Sequence, residues 1–417
     1  MLGMFMYMLE ARKELLVGLS LSVLYITYYL VEVVKRPLLV CGPGALRTLL
    51  ERDVPLLQTP YWPTPWCVEA RLQTVLGSIL RSLLLPHARY RREVLRLADG
   101  GQVALDWLEN SAGPGAPILL VLPGLTGGSQ ADYVRALCAA AQQLGARAVV
   151  FHYRGLGGIK LTTPRLYCAV SHEDLAEVVE AVSERAGDAP VLAVGVSLGG
   201  LILGQYLAAA GDQARVHAAL VVSSPLDVER GSECMERGLN ALLSRHMARN
   251  LRRTVCSHSL VTAGSDEHAR VENATSVRAF DAAFTTRHFG FGSVEAYYRA
   301  ATLRDKLGAV RVPLLCLCAA DDPFQPLEVL PLAEVAASKA VALAVPARGG
   351  HIGFLEGWWP AGQDQYMARV AFQYFSALLR NPDLLHSPPK VQVQTQTEKI
   401  ETPEKQEEME KQDKVAC

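Results

Sequence analysis

The chain has 417 residues, of which 50% are apolar and 20% are charged, and its formal net charge is −1. This length suffices for one large domain with appendages, and the near-neutral charge gives no reason to expect nucleic acid as a partner. The nine cysteines are scattered, and neither C-x-x-C nor H-E-x-x-H occurs, so we predict neither a metal site nor a cofactor. Cys316 and Cys318 lie in an apolar run and are expected in the core.

An uncharged, mostly apolar run at Leu15–Val31 lies near the N-terminus; Glu32 follows it, and Val33 and Val34 extend the apolar stretch beyond this glutamate. Its length approaches the roughly 20 residues that cross a bilayer, and a glutamate one turn from the end can reach the headgroups. No small-x-small cleavage site follows, which disfavours a signal peptide, and a buried helix is rarely apolar on all faces. We therefore predict that residues 1–36 form a single-pass membrane anchor, whose orientation the balanced flanking charges leave open.

Two further segments flank the body of the chain. Residues 37–90 contain the passage Thr59–Trp66, where aromatic residues alternate with prolines that exclude a regular helix or a central strand. We expect this passage to pack on the body of the domain, with the membrane face as the alternative. Residues 386–417 are rich in Gln, Glu, Lys and Thr, which is typical of a disordered polar tail.

Residues 91–385 show alternating strand-like and helix-like segments after a hairpin pattern centred on Asp99-Gly100-Gly101. Continuous apolar strands separated by amphipathic helices indicate a mostly parallel sheet with helices on both faces. Strands are predicted at Pro117–Leu122, Ala148–Tyr153, Val191–Val194, Ala218–Val222, Pro313–Cys318 and Ala340–Val345, with helices at Tyr133–Leu144, Leu175–Arg185 and Leu201–Ala210. The alternation stops over about 226–302, which we interpret as a helical lid above the ends of the strands.

The central motif of the body is G-x-S-x-G at Gly195–Gly199, between a predicted strand and a predicted helix. This is the pattern of a nucleophile elbow, in which Ser197 takes a strained conformation that projects its hydroxyl above the sheet. Gly195 and Gly199 are needed because a side chain would clash with the neighbouring strand or helix. In a chain with 33 glycines this motif can arise by chance, so the motif alone is weak evidence for a nucleophile. The neighbouring segments and the other candidate residues must decide whether it marks one.

A serine nucleophile needs a base that is oriented by a carboxylate, and on this fold the order along the chain is Ser, Asp, His. Asp321 and Asp322 follow the predicted strand Pro313–Cys318 after two alanines. We choose Asp322, because Pro323 biases it towards an extended turn, and keep Asp321 as the alternative. His351 lies in a Gly-rich loop behind the last predicted strand and is the predicted base.

A Gly-rich loop after the first long apolar strand supplies a candidate oxyanion hole. The backbone N–H of Leu125, with Thr126 as the alternative, and the N–H of Leu198 are the predicted donors to the tetrahedral intermediate. A phosphate-binding loop is disfavoured because neither G-x-G-x-x-G nor a Walker lysine is present. Arg154 is expected to brace loops. Asn273 begins an Asn-Ala-Thr glycosylation pattern, which matters only if the domain faces a lumen.

Several of these motifs together resemble a membrane-anchored α/β-hydrolase-domain family, which includes yeast ethanol acyltransferase-type ester enzymes and a mammalian phospholipase. The resemblance rests on LPGLTGGS at 122–129, FHYRGLGG at 151–158, GVSLGG at 195–200, AADDPF at 319–324 and GGHIGF at 349–354, and also on TPYWPTPW at 59–66 and the segment 278–298. It runs from the N-terminus to about Leu385 and leaves out the tail. It implies the α/β-hydrolase fold, a single-pass anchor, action on acyl esters of lipids, and Ser197, Asp322 and His351 as nucleophile, acid and base.

We therefore predict a membrane-bound serine hydrolase that cleaves carboxylic esters of lipids. Its partners would be a lipid acyl ester and the bilayer, in the endoplasmic reticulum or another endomembrane. One alternative uses the same triad for acyl transfer from acyl-coenzyme A to an alcohol, or as a thioesterase. Another is a non-catalytic binding protein, since the fold does not determine the function.

Overall fold

The computed structural model describes residues 2–109, 112–261, 265–360 and 365–387. A nine-stranded sheet forms the centre of this part of the chain. Its strands are β1 (Leu38–Val40), β2 (Tyr90–Arg96), β3 (Gln102–Leu108), β4 (Ile118–Leu122), β5 (Arg147–His152), β6 (Val191–Val196), β7 (Ala218–Val222), β8 (Leu314–Leu317) and β9 (Val341–Val345). The spatial order is β1-β9-β8-β7-β6-β4-β5-β3-β2.

Strands β4 to β9 are parallel to one another, while β1, β2 and β3 pair antiparallel at the two edges. The mostly parallel sheet and the hairpin of β2 and β3 that the sequence predicts are thus confirmed. Edge strand β1, which pairs with β9, was not predicted. Its three residues are too few to produce a recognisable alternating pattern.

Helices cover both faces of the sheet. The α-helices are α1 (Leu2–Tyr28), α2 (Ala45–Asp53), α3 (Ala70–Leu84), α4 (Asp132–Gln143), α5 (Glu173–Ala186), α6 (Leu198–Ala210), α7 (Val228–Met235), α8 (Asn240–Cys256), α9 (Ser265–Glu272), α10 (Val277–Phe280), α11 (Thr286–His288), α12 (Val294–Ala301), α13 (Leu332–Ala337) and α14 (Tyr366–Leu379). Short 3₁₀ segments lie at Pro55–Leu57, Gly211–Gln213, Arg304–Ala309, Leu327–Val329 and Pro382–Leu384.

Continuous apolar strands are explained by the burial of both sheet faces. Alternate residues of β4 point to opposite sides: Leu120 joins the core beneath α5 and α6, whereas Leu119 and Val121 join the core beneath α4 and α14. Each of these side chains is almost completely buried. A polar side chain at any of these positions would lose its hydration without gaining a hydrogen-bond partner. Cys316 and Cys318 are buried in β8 and just after it, as predicted.

Helix α1 continues into a π-helical turn at Tyr29–Val33. The segment Arg12–Val33 has 22 residues with a mean hydropathy of 1.7, and it is the one helix among the described residues with the length and composition to cross a membrane. Its side chains from Arg12 onward are mostly exposed. These properties fit a single-pass membrane anchor.

The N-terminal extension packs on the body of the domain. Helices α2 and α3 flank the proline-rich passage, which contains no helix or strand and forms only isolated bridges at Tyr61 and Pro63, as its prolines predict. The buried Tyr61 hydroxyl donates to the carbonyl oxygen of Leu355 at 2.8 Å, and its ring lies 4.4 Å from that of Tyr366. The passage is therefore an integral part of the fold rather than a solvated linker.

Helices α7 to α12 lie between β7 and β8, over the stretch where the regular alternation of strands and helices stops. A separate apolar cluster holds them to the loop after β5, with Leu161 and Leu166 packing near Leu251, Val255 and Phe284. The predicted polar tail falls outside the described residues except for His386 and Ser387.

Candidate active site

Ser197 lies at the sharp turn between β6 and α6, with φ 53° and ψ −118°. Such a conformation is strained for a residue with a side chain. A Cβ atom on Gly195 would lie 2.5 Å from the Cα of Gly200, and one on Gly199 would lie 2.2 Å from the carbonyl oxygen of Leu122. The two glycines are thus required by close backbone contacts, and the turn has the geometry of a nucleophile elbow.

His351 lies in the loop that follows β9, and its Nε2 is 2.9 Å from Oγ of Ser197. Helix α3 supports this loop: the His351 backbone N–H donates to Oγ1 of Thr74 at 2.9 Å. Gly350 has φ 56°, and a Cβ there would lie 2.2 Å from the carbonyl oxygen of Ala70. The position of the imidazole therefore depends on the N-terminal extension.

Asp322 follows β8 and is completely buried. Its Oδ2 is 2.9 Å from Nδ1 of His351, while its Oδ1 accepts hydrogen bonds from the backbone N–H groups of Phe324 at 2.8 Å and Gln325 at 3.3 Å. The carboxylate is thus fixed on one side by backbone donors and faces the imidazole with the other. Asp322, His351 and Ser197 form one continuous chain of hydrogen bonds.

The neighbouring Asp321 has a different partner. Its Oδ1 accepts from the backbone N–H of Gly350 at 3.0 Å. Burial raises the pKa of Asp321 to about 6, and the Gly350 N–H partly offsets this effect. Asp321 therefore shapes the loop that carries the imidazole, whereas Asp322 contacts the imidazole itself.

The loop after β4 approaches Ser197 from the other side. Leu125 and Leu198, the predicted oxyanion donors, line the same cavity as Ser197 and His351. The Gly124 N–H donates to the Tyr133 hydroxyl at 2.9 Å, which ties the start of the loop to α4. Thr126, the alternative donor, has φ 55° and does not line this cavity.

A buried polar cluster holds the end of the same loop. The Asp106 carboxylate on β3 accepts from the hydroxyl of Ser129 at 2.7 Å and from Arg92 at 2.7 and 2.8 Å, and lies 2.8 Å from Nε2 of His152. Burial disfavours the charged form, but these hydrogen bonds hold the pKa of Asp106 well below its usual range. The cluster therefore contains an ionised carboxylate that anchors the loop to the sheet.

Ser197 and His351 open onto a cavity whose walls are mainly apolar and aromatic. Leu251, Val255, Phe280 and Phe284, from α8 and the helical turns after it, form part of the wall. One carboxylate interrupts it. Asp281 accepts hydrogen bonds from the hydroxyls of Thr285 at 2.6 Å and Tyr298 at 2.9 Å, and burial raises its pKa to about 6.

One group of potential metal ligands exists among the described residues. Cys256, His268 and Glu272 bring three ligand atoms within 4.8 Å of one another. His268 and Glu272 are one turn apart on α9 and form an exposed pair at 3.2 Å, which is an ordinary helix-surface arrangement. Structural zinc sites use four ligands, so this group of three does not match one.

Two other residues singled out in the sequence, Arg154 and Asn273, have defined hydrogen-bond partners in the structure. Arg154 is buried and forms paired hydrogen bonds with Asp174 at 2.6 and 2.7 Å and one with Asp99 at 2.9 Å. It braces loops, as expected. Asn273 is exposed at the end of α9, with its side-chain amide donating to the Ala269 carbonyl at 2.9 Å.

Thr74 and Asp281 were not identified from the sequence. Thr74 lies 277 positions before His351, and a threonine in a helix carries no signal for so distant a contact. Asp281 lies in a π-helical turn, Asp281–Thr285, and no local sequence pattern distinguishes a buried carboxylate there from a solvated one. A π-helical turn frequently marks a functional site, but it is recognised only in a structure.

A mostly parallel sheet with a strained serine turn, and with a histidine and an aspartate behind its last strands, defines an α/β hydrolase. The chain belongs to the alpha/beta hydrolase fold family, whose pattern matches residues 117–357. It is 39% identical to Phospholipase ABHD3 of Mus musculus over 376 residues, which cover 88% of this chain and 91% of that protein. Phospholipase ABHD3 of Homo sapiens is 38% identical, and the match again covers 88% of this chain and 91% of that protein. The Putative esterase YheT of Escherichia coli is 32% identical over 69% of this chain and 84% of its own.

Proposed function

We propose that this protein is a membrane-anchored serine hydrolase that cleaves carboxylic ester bonds of lipids. The observation that carries the proposal is the hydrogen-bond chain of Ser197, His351 and Asp322. The imidazole of His351 lies 2.9 Å from Oγ of Ser197 through its Nε2 and 2.9 Å from Oδ2 of Asp322 through its Nδ1. A serine hydroxyl is a weak nucleophile by itself, and this arrangement supplies the base and the group that orients it.

In the first half of the reaction, Oγ of Ser197 attacks the ester carbonyl carbon while Nε2 of His351 takes the hydroxyl proton. The Asp322 carboxylate stabilises the imidazolium that results. The backbone N–H groups of Leu125 and Leu198 stabilise the oxyanion. The tetrahedral intermediate then expels the alcohol, which takes its proton from His351, and the acyl group stays on Ser197.

In the second half, water replaces the alcohol. His351 removes a proton from the water as it attacks the acyl-enzyme, and a second tetrahedral intermediate forms in the same oxyanion hole. Its collapse releases the carboxylic acid and returns the proton to Ser197. The base, the nucleophile and the oxyanion donors are thus all supplied by the chain itself.

Two observations support a lipid ester as the substrate class. The cavity beside Ser197 is mainly apolar and aromatic, which favours an acyl chain. Relatives that match most of this chain are named phospholipases or, in the bacterial case, a putative esterase. We assign helices α7 to α12 as the lid, because α8 and α10 contribute to the wall of the cavity.

Residues 1–36 serve as the anchor in this proposal, and the endoplasmic reticulum or another endomembrane is the proposed location. The hydropathy and length of Arg12–Val33 support the anchor. Asn273 provides a test of topology, since glycosylation there requires a lumenal domain. A shift in mobility after endoglycosidase treatment, absent in Asn273→Gln, places the domain in the lumen.

The direct test of the activity measures fatty-acid release from lipid esters by the purified full chain and by Ser197→Ala. We expect the release to disappear in the variant. Equal release by both proteins would overturn the proposal, and no release by the wild type from any ester would favour a binding protein on this fold. Adding an alcohol with acyl-coenzyme A distinguishes the acyltransferase alternative, for which ester forms faster than acid.

A further inference from the structure

Four of the five tryptophans in the chain lie in one exposed region. Trp62 and Trp66 belong to the proline-rich passage, and Trp358 and Trp359 follow the loop of His351; the last two are 75% and 66% exposed. The Trp66 indole N–H donates to the Trp358 carbonyl at 2.7 Å, and its ring lies 6.1 Å from that of Trp359. Large aromatic side chains are seldom left in water in such number.

This aromatic region adjoins the end of the proposed anchor. The Tyr29 hydroxyl donates to the Pro63 carbonyl at 2.6 Å, and the Tyr29 ring lies 6.3 Å from that of Trp62. Tyr25, one turn earlier, contacts the Pro65 carbonyl. The tryptophans are therefore held where the anchor meets the domain, which is the level at which aromatic belts lie in membrane proteins.

Helix α3 begins four residues after Trp66 and continues the exposed apolar region. Its exposed side includes Leu72, Val75, Ile79 and Leu83, at the spacing of one helix face. Every residue from Leu72 to Leu84 is described, and Arg81, the one charged side chain among them, is buried. From Leu72 to Leu84 the exposed face of α3 therefore carries no charge to favour contact with water, and the exposed pair of Arg71 and Glu69 lies at the N-terminal end of the helix.

The exposed apolar region extends to the helices around the cavity. The Arg71 guanidinium on α3 donates to the side chain of Asn240 at 2.8 Å, where α8 begins. Leu239 and Leu242 are exposed at this point, and Leu251 further along α8 lines the cavity. The apolar surface thus reaches from the anchor to an element of the cavity wall.

We propose that this surface is a membrane-docking surface that lies on the same bilayer as the anchor. We define it by Trp62, Trp66, Trp358 and Trp359, the exposed face of α3, and Leu239 with Leu242. The proposal rests on the anchor proposed above. Tryptophans at the headgroup level and an apolar helix face partly buried in the acyl boundary are the features of interfacial binding.

Continuity with the anchor favours the bilayer over a second protein as the occupant. A helix that crosses the membrane ends against Trp62 and Pro63, so the headgroup region is already adjacent to the surface without any further partner. The opposite side of α3 holds the loop of His351 through Thr74. Docking therefore places the catalytic imidazole and the cavity wall next to the lipid that supplies the substrate.

Tryptophan fluorescence in vesicles that contain brominated lipids tests the contact. Trp107→Phe retains the four surface tryptophans, whereas the matched variant with phenylalanine at positions 62, 66, 358 and 359 retains only Trp107 on β3. We expect strong quenching for the wild type and Trp107→Phe, and little for the variant that retains Trp107. Weak quenching of Trp107→Phe, or equal quenching of both variants, would overturn the proposal.

Nanodiscs that contain one copy of the protein separate the bilayer from a second copy as the occupant. Quenching in single-copy discs supports the bilayer, and quenching that needs two copies per disc contradicts it. Because quenching requires no turnover, Ser197→Ala must give the same signal as the wild type. Loss of hydrolysis with retained quenching in this variant supports docking independently of the catalytic assignment.

Activity provides a second readout. We expect Ile79→Gln with Leu83→Gln to lower hydrolysis of a vesicle lipid ester severalfold while leaving hydrolysis of a water-soluble short-chain ester unchanged. Val94→Gln with Leu327→Gln, which also replaces two exposed apolar residues, should change neither rate. An unchanged vesicle rate in the α3 variant, or an equal fall in both of its rates, would contradict docking.

Discussion

Gly199 and Leu122 are in direct backbone contact: a Cβ atom on Gly199 would lie 2.2 Å from the Leu122 carbonyl oxygen. This contact joins the first turn of α6 to the end of β4, from which the loop with Leu125 departs. This close backbone contact, which only a glycine permits, therefore positions the serine turn relative to the loop of the proposed oxyanion hole.

Gly199→Ala should consequently destabilise the protein by about 3 kcal/mol or more, because a backbone carbonyl cannot move aside as a flexible side chain can. Thermal unfolding in detergent micelles measures the effect. Gly292→Ala is the matched control, since a Cβ there meets no atom within 4 Å. Equal unfolding temperatures for the two variants would show that the close approach is not a constraint.

Asp322→Asn should lower kcat on a soluble ester by about 10⁴-fold, the loss typical of a triad whose imidazole is no longer held in the productive form. Asp321→Asn should cost only a few fold, because an asparagine oxygen can still accept from the Gly350 N–H. Steady-state rates at matched unfolding temperatures make the comparison. A larger loss for Asp321→Asn would show that the orienting role belongs to Asp321 instead.

The buried ion pair between Arg81 and Asp132, at 2.6 Å, holds α3 against α4, and Arg81 also donates to the Gly353 carbonyl at 2.6 Å. Arg81→Met should destabilise by about 3–5 kcal/mol, because it leaves the Asp132 carboxylate buried without its cation. Replacing both residues, with Asp132→Leu, should recover much of the loss. Destabilisation of the double variant by the sum of the two single effects would contradict this account.

Asp281 should make the stability depend on pH. Burial raises its pKa from 3.8 to about 6, so the folded state holds this proton more tightly than the unfolded state does. The stabilisation that this proton provides is complete at pH values below the pKa of Asp281 in the unfolded state. It is lost as the pH rises through about 6, the pKa in the folded state. Relative to Asp281→Asn, the wild type should lose about 2–3 kcal/mol between about pH 4 and about pH 7. A constant difference between the two proteins across this range would exclude the shifted pKa.

Much of the fold could be predicted because its signals are local. A short apolar run can be recognised as a buried strand from its own residues, without knowledge of distant contacts. The predicted strands Val191–Val194 and Pro313–Cys318 correspond to β6 and β8 to within two residues at either end. The order of Ser197, Asp322 and His351 could likewise be read along the chain, since each follows a strand and the carboxyl ends of parallel strands meet at one edge.

The rest depends on contacts that no local pattern encodes. Thr74 supports His351 from a helix near the N-terminus, and Asp281 is buried only because other helices cover it. The start of α6 at Leu198, three residues before the predicted Leu201, follows from the turn itself. Gly199 and Gly200 are poor helix formers, and packing rather than propensity makes them helical.

The central claim is that Ser197 is the nucleophile, and a covalent adduct tests it most directly. The full chain is treated with a fluorophosphonate probe, and the modified peptide is identified by mass spectrometry. We expect the probe mass on Ser197 in the wild type and no labelling of Ser197→Ala. A probe attached to any other residue, or undiminished labelling of Ser197→Ala, would contradict the claim.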